Sequence, residues 1–333
     1  MRVLNSALPM SVLLAVDDSS HSATAVNLAT RIAWPVETAI HILAIVPDRL
    51  PLMERSLETK DEADEALEIM RWRDWAAATM VTNQAAAQLR KQNDNFAVTT
   101  EVGEGPPTQA LLKCASTLAA DLIVIGAREF CPAGKFRLSP TAHKLAHYAD
   151  YSVLIVRPSN QIRPMHTLIA IDGSTKAWRA VQFLSRLSLP QWAKVTVVNI
   201  GKEEESIDRR MRSESCDCIA NTIDYLHSLG AQVRIIRRFG DPVDEILTTA
   251  GQQNADLIVI GVHGQPSPTA FRWKGVTQSV VKYAPCSVLV VRQTVSEEEV
   301  FKPKPGKERV TPIAIPSIVQ EEFVLRAASK FIR

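Results

Sequence analysis

"DLIVIG" stands at residues 121–126 and again, letter for letter, at 256–261. Its four central residues are all apolar, with no alternation. Such a run suits a parallel strand covered by helices on both faces, not a strand with one wet side. The copies part after the glycine: the first continues Ala-Arg-Glu129, the second Val-His-Gly264. Upstream, "SVLLAVDDSS" (11–20) matches "HTLIAIDGST" (166–175), which places Asp17 and Asp172 155 positions apart. "RIAWP" (31–35) with "RLSLP" (186–190), and "IHILAI" (40–45) with "VTVVNI" (195–200), keep that spacing. Downstream the spacing falls to 135, from Gly126 to Gly261 and from "SVLIVR" (152–157) to "SVLVVR" (287–292). A period this long marks a duplicated domain, not a solenoid. The first copy therefore holds about 20 extra residues (155 − 135), within 51–90. That stretch is rich in Glu, Ala, Leu and Arg, lacks glycine and has no proline after Pro51, so it reads as one long helix.

Strands are expected near 11–17, 39–46, 96–102, 121–126 and 152–157, and again near 166–172, 194–200, 231–237, 256–261 and 287–292. Their alternation with helix-like stretches predicts an α/β chain of two tandem doubly wound five-stranded parallel-sheet domains. Ligands of such sheets sit outside the carboxyl ends of the strands, where the strand order reverses. The chain has 333 residues, 46% hydrophobic and 22% charged, with a net charge of +2. This near-neutral balance argues against a nucleic-acid partner or a polybasic membrane surface. Five cysteines, odd in number and unpatterned, fit a reduced compartment, and the location is read as cytoplasmic. No apolar run reaches the roughly 20 residues of a transmembrane helix. The apolar start is short and ends in Asp17-Asp18, which fits a buried first strand better than a signal peptide.

Several motifs recur in order in both copies: a strand ending in Asp then Gly or Ser, a turn of the "GEGPP" or "GDPVDEIL" kind, "DLIVIG", and a final "SVLIVR" or "SVLVVR". Together they resemble the universal stress protein family, over 11–158 and 166–293. The resemblance implies a tandem member with a sheet of the adenine-nucleotide alpha-hydrolase-like kind, domains that often pair as dimers, and a role in stress response. In the nucleotide-binding branch it further implies a G-x2-G-x9-G-[S/T] turn that holds the phosphates of ATP. The same resemblance implies that the aspartate after strand one and the residues ending strand two border the adenosine.

The chemistry of such a turn is general. Phosphate oxygens need several backbone N–H donors at once. Glycine lets the backbone curl and approach without a Cβ, and a helix N-terminus adds unpaired donors. In the second copy Gly261 and Gly264 fit, while Lys274-Gly275 falls where Gly-Ser/Thr is expected. Two readings stand. Lys274 supplies a cation while Gly275, Val276 and Thr277 supply donors, or the turn has decayed and Lys274 is a solvated helix-end residue. Pro266 and Pro268 stiffen this loop. Asp172 and Ile200 complete the candidate nucleotide site. In the first copy the corresponding residues are Asp17, Gly126, Glu129, Ser139 and Pro140. Glu129 repels phosphate and Pro140 deletes a donor, although it suits the first position of a helix. The first copy is therefore read as keeping the fold and losing the site, with Arg128, Lys135 and Arg137 as an alternative anion cluster. Capping or turn formation accounts for both aspartates by itself.

Other constellations carry less. His143 and His147 have the i, i+4 spacing of zinc ligands but no third partner, so they are read as helix surface. Cys216 and Cys218 face apart on a helix. Trp72 and Trp75 are expected to cover a core or a contact surface. No metal cofactor, nucleophile–base pair or catalytic residue is predicted. Residues 293–316 read as a proline- and charge-rich linker, and 317–333 as an amphipathic helix docked on protein, not on lipid. The expected organisation is 1–160 and 161–294 as two domains and 295–333 as linker and helix. The two final strands are expected to pair the copies, and a homodimer is open. The expected function is a non-enzymatic stress-response regulator that binds ATP or another adenine nucleotide in the second domain. The alternative is a nucleotide-free dimeric scaffold or partner-binding regulator.

Overall fold

The computed structural model describes residues 8–46, 60–92, 97–127, 138–158, 165–172, 174–187, 194–201, 214–262 and 271–292. The first copy contains β1 (Ser11–Val16), α1 (Ser20–Arg31), β2 (Ala39–Val46), α2 (Lys60–Gln92), β3 (Ala97–Glu104), α3 (Pro107–Thr117), β4 (Leu122–Gly126), α4 (Pro140–Tyr148) and β5 (Ser152–Val156). The second contains β6 (His166–Ile171), α5 (Thr175–Arg186), β7 (Lys194–Gly201), α6 (Glu214–Ser228), β8 (Gln232–Phe239), α7 (Pro242–Gln252), β9 (Leu257–Gly261), α8 (Phe271–Tyr283) and β10 (Ser287–Val291). Every expected strand is present, with small shifts at the ends. The long helix is present as α2, although 51–59 lie outside the described residues. Its counterpart α6 is much shorter, so the extra residues lengthen a helix that both copies possess. The tail expected at 317–333 also lies outside the described residues.

All ten strands belong to one sheet in the order β3-β2-β1-β4-β5-β10-β9-β6-β7-β8. Each half is parallel throughout, and the only antiparallel pairing among the described strands is β5 with β10. Both faces carry a continuous apolar layer. Leu122 and Val124 face the layer that also holds Ala86 and Leu89 of α2 and Leu184 of α5. Ile123 and Ile125 face the one holding Leu111 of α3, Leu145 of α4 and Val280 of α8. That is why the strand is apolar at every position. The outermost strands, β3 and β8, are mostly exposed or half-buried and carry polar residues such as Thr99, Glu101, Arg234 and Arg237. Charged and polar edges of this kind discourage further strand addition.

The end letters of the repeated hexapeptide also have structural causes. Asp121 N–H donates to the Ser11 carbonyl at 2.8 Å, and the Ser11 N–H donates back to Asp121 Oδ2 at 2.8 Å. Asp256 makes the same pair with His166, both at 2.8 Å. The aspartate thus fixes the start of the first strand against the start of the fourth. A Cβ on Gly126 would lie 2.5 Å from the His21 carbonyl oxygen, so α1 crosses β4 at a distance only glycine permits.

The two copies meet around an approximate two-fold axis. Val288 pairs with Ile155, Leu289 with Leu154 and Val290 with Val153. Gln278 Nε2 lies 3.4 Å from Nε2 of His143, which occupies the equivalent place in the other copy. The arginines that end "SVLIVR" and "SVLVVR" cross the seam reciprocally. Arg157 donates to the carbonyls of Cys286, at 3.0 Å, and Val281. Arg292 donates to those of Tyr151, at 3.3 Å, and Ala146. Val281 and Ala146 lie in the last turns of α8 and α4, where carbonyls have no partner within the helix. The backbone N–H of Arg157 donates to Ser287 Oγ and that of Arg292 to Ser152 Oγ, each at 3.1 Å. Burial lowers both guanidinium groups to about 10, which still leaves them charged at neutral pH. It pushes the Cys286 thiol up to about 12.

Candidate functional site

Within each half, β1 or β6 lies between its second strand and its fourth, so the strand order reverses between β1 and β4 and between β6 and β9. The crevices at the carboxyl ends of those pairs are the expected ligand positions. Asp17 and Asp172 follow β1 and β6 directly and both are exposed. The caps of the following helices fall on the serines two residues later. Ser19 Oγ accepts from the Ser22 N–H at 3.2 Å, and Ser174 Oγ accepts from the Ala177 N–H at 3.3 Å. The aspartates instead order the turn before the cap. Asp17 Oδ1 accepts from the Ser19 N–H at 3.1 Å, and Asp172 Oδ1 accepts from the Ser174 N–H at 3.0 Å. This is the local Asx geometry that lets a strand end and a helix start within a few residues.

Gly126 and Gly261 close β4 and β9 at the other wall of each crevice. In the first copy the glycine is already required by the close passage of α1. It therefore carries no specific signal for a ligand. Glu129, Gly264, Arg128, Lys135 and Arg137 lie outside the described residues. Ser139 caps α4, accepting from the Ala142 N–H at 3.0 Å, and Pro140 takes the first helical position as expected. In the second copy Lys274, Gly275, Val276 and Thr277 fall within the first two turns of α8. Gly275 is exposed, and a Cβ built on it meets nothing within 4 Å. Val276 packs against the core and Thr277 is 6% exposed, so these two side chains serve the helix–sheet contact.

Ile200 is half-buried at the end of β7. Beside it, Asn199 Nδ2 donates to the Ile171 carbonyl at 3.1 Å and ties the ends of β7 and β6 together at the crevice. The first copy has Ala44 at this position. The polar letter near the end of "VTVVNI" was the available signal for Asn199, and sequence reasoning passed over it. The turns before α3 and α7 lie at the same end of the sheet. Gly105 and Gly240 there adopt φ of +112° and +134°, values that favour glycine. Asp241 then caps α7, its Oδ1 accepting from the N–H groups of Val243 at 2.9 Å and Asp244 at 3.2 Å.

Trp72 is 76% exposed on α2 and covers no core, in contrast to one of its two expected roles. His143 and His147 lie on α4 as expected, with ring centroids 6.2 Å apart. The side chains of Cys216 and Cys218 lie outside the described residues. Among the described residues no helix is long and apolar enough to cross a membrane.

Comparison with known proteins finds two successive matches to one family. A model of the universal stress protein family matches residues 10–157 and 165–292. A universal stress protein of Mycolicibacterium smegmatis is 25% identical over 311 residues, covering 87% of this chain and 99% of that protein. Universal stress protein YxiE of Bacillus subtilis is 25% identical over 143 residues, covering 38% of this chain and 97% of its own length. Among solved structures, a universal stress protein from Archaeoglobus fulgidus aligns with a TM-score of 0.61 at 17% identity, covering 86% of this chain and 99% of that one. With two successive matches that fill both halves of its sheet, the chain belongs to the universal stress protein family.

Proposed function

We propose that this protein is a stress-response regulator that binds ATP or another adenine nucleotide in the crevice of its second copy, without catalysis. In this reading 1–160 and 161–294 act as two domains and 295–333 as an appended linker and helix. The observation that carries the proposal is an asymmetry between equivalent crevices. Both have an exposed aspartate after the first strand and a glycine ending the fourth. Only the second continues to a further glycine, Gly264, where the first has Glu129. Bare backbone at that position favours phosphate, and a carboxylate opposes it. Asp172 and Ile200 would flank the nucleoside, and Lys274 would offer a cation near the phosphates. Val276 and Thr277 lie beyond the first four residues of α8, whose N–H groups have no partner within the helix, so Gly264 and the start of α8 would be the more suitable backbone donors. The test is to purify the chain, release small molecules by heat and identify them by mass. Stoichiometric adenine nucleotide supports the reading. Its absence, with no rebinding in calorimetry, removes it.

A nucleotide-free scaffold is favoured by a separate feature. On α2, Trp72 is 76% exposed, Ile69 64% and Met80 59%. A groove of about 1050 Å³ lies along this helix, lined by Arg71, Trp72, Trp75 and Thr79 among others. Light scattering of the parent chain and of Trp72→Ala distinguishes an oligomer held through this face from a monomer.

A further inference from the structure

At the outer end of the first copy's sheet, three residues of different chemistry converge. His41 on β2 stands opposite Thr99 on β3 in the parallel register, and Glu101 follows two residues later on the same face. Cys114 lies on α3, which packs over these strands. A histidine nitrogen, a carboxylate oxygen and the Cys114 sulfur all lie within 4.8 Å of one another. His41 Nε2 is 3.0 Å from Glu101 Oε2, and its Nδ1 is 2.8 Å from Thr99 Oγ1. We propose that His41, Glu101 and Cys114 form a binding site for a borderline transition-metal ion, zinc in the first instance. The site is independent of the nucleotide reading.

The donor set selects the metal class. A nitrogen, a sulfur and one oxygen suit zinc or cobalt, whereas calcium and magnesium require oxygen shells. Tetrahedral ligands about 2.0–2.1 Å from zinc stand about 3.3 Å from each other. The observed 3.0 Å between Nε2 and Oε2 needs only a small opening to admit the ion. Without a metal, Nε2 is placed to donate to Glu101 Oε2; on binding, the ion would take the place of that proton, and Nδ1–H would donate to Thr99 Oγ1. Such a partner on the far ring nitrogen is the usual device that orients a metal-binding imidazole. Three protein ligands leave a fourth position open. The His41 side chain is 14% exposed and that of Glu101 57%, so the site is anchored on its inner side and reachable from solvent. Glutamate and thiolate together balance a divalent charge, the thiol proton leaving to solvent on binding.

The second copy lacks the site. Its equivalents of His41, Glu101 and Cys114 are Thr196, Ile236 and Thr249, none of which can complete the set. There His166 reaches in from β6 instead, with Nε2 2.8 Å from Thr196 Oγ1 and Nδ1 2.8 Å from the Gln253 carbonyl. Both of its nitrogens are engaged by protein.

The test uses the full metal-free chain titrated with Co2+, with Zn2+ as competitor. One Co2+ per chain is expected, with a sulfur-to-cobalt charge-transfer band that Zn2+ abolishes. The band should persist when Cys131, Cys216 and Cys218 are together changed to serine, and vanish in Cys114→Ser. Thr99→Val keeps every ligand and removes only the orienting hydrogen bond, so it should weaken binding by about 10–100-fold. His41→Ala should weaken it more. Should a variant misfold, Zn2+ must still slow iodoacetamide labelling of Cys114 in the unsubstituted chain. No Co2+ binding, a sulfur band that survives Cys114→Ser, or Cys114 labelling indifferent to Zn2+ would each overturn the site.

Discussion

The two copies agree where the fold must be held and differ where ligands would bind. The residues that hold the fold are the same in each: at the seam, a serine opening the final strand and an arginine closing it, and within each copy an aspartate fixing the first strand to the fourth. The crevice residues diverge, with Gly264 against Glu129 and Asn199 against Ala44. The outer part of each half diverges as well, since His41 of β2 and Cys114 of α3 correspond to Thr196 and Thr249 in the other copy. Duplication thus fixes the shared interface and leaves each half's surfaces free to specialise.

The strongest test of equivalence is at the seam. Arg157→Ala and Arg292→Ala should each destabilise the full chain by about 3 kcal/mol, because each strands carbonyls at a helix end and removes charge-assisted hydrogen bonds. Urea unfolding of both variants checks this. A large loss in one and none in the other would break the symmetry. Next in size is Gly126→Ala. Its methyl would meet the His21 backbone at 2.5 Å, and displacing α1 should cost about 2 kcal/mol, read by thermal or urea unfolding. Gly275→Ala should do the reverse. It lies in α8 with nothing within 4 Å of the added Cβ, so the chain should gain about 0.5–1 kcal/mol from helix propensity. If that substitution destabilises, the start of α8 is not the regular helix described. Smallest of all, Trp72→Ala should change stability by no more than about 0.5 kcal/mol, because the ring is 76% exposed. A larger effect would mean that the ring has a partner.

Most of the fold was legible because both-face burial writes itself as unbroken apolar runs, as in Leu122–Ile125 and Leu257–Ile260. The repeat also made the pairing of the final strands readable, since two nearly identical apolar edges, "SVLIV" and "SVLVV", need each other. The arginines ending those strands were visible in both copies, but one sequence does not say that a side chain turns inward across a seam. Gly126 shows the opposite difficulty. A glycine at a motif position invites a ligand reading, while its immediate cause is a helix passing over a strand. His41, Glu101 and Cys114 come from three separate segments, so no spacing rule could join them. Their meeting depends on the β2–β3 register and on where α3 crosses. The crevice was half legible: Asp17 and Asp172 end their strands as expected, but the aspartates order the turn and leave the cap to serine.

The central claim is that one scaffold, used twice, carries a nucleotide crevice once. Calorimetry of ATP with the nucleotide-stripped chain tests it most directly, run in parallel on Gly264→Glu and on Glu129→Gln. One site per chain is expected in the parent and in Glu129→Gln. None is expected in Gly264→Glu, whose side chain and negative charge would occupy the cradle. Two equivalent sites in the parent, no binding at all, or undiminished binding by Gly264→Glu would contradict the account.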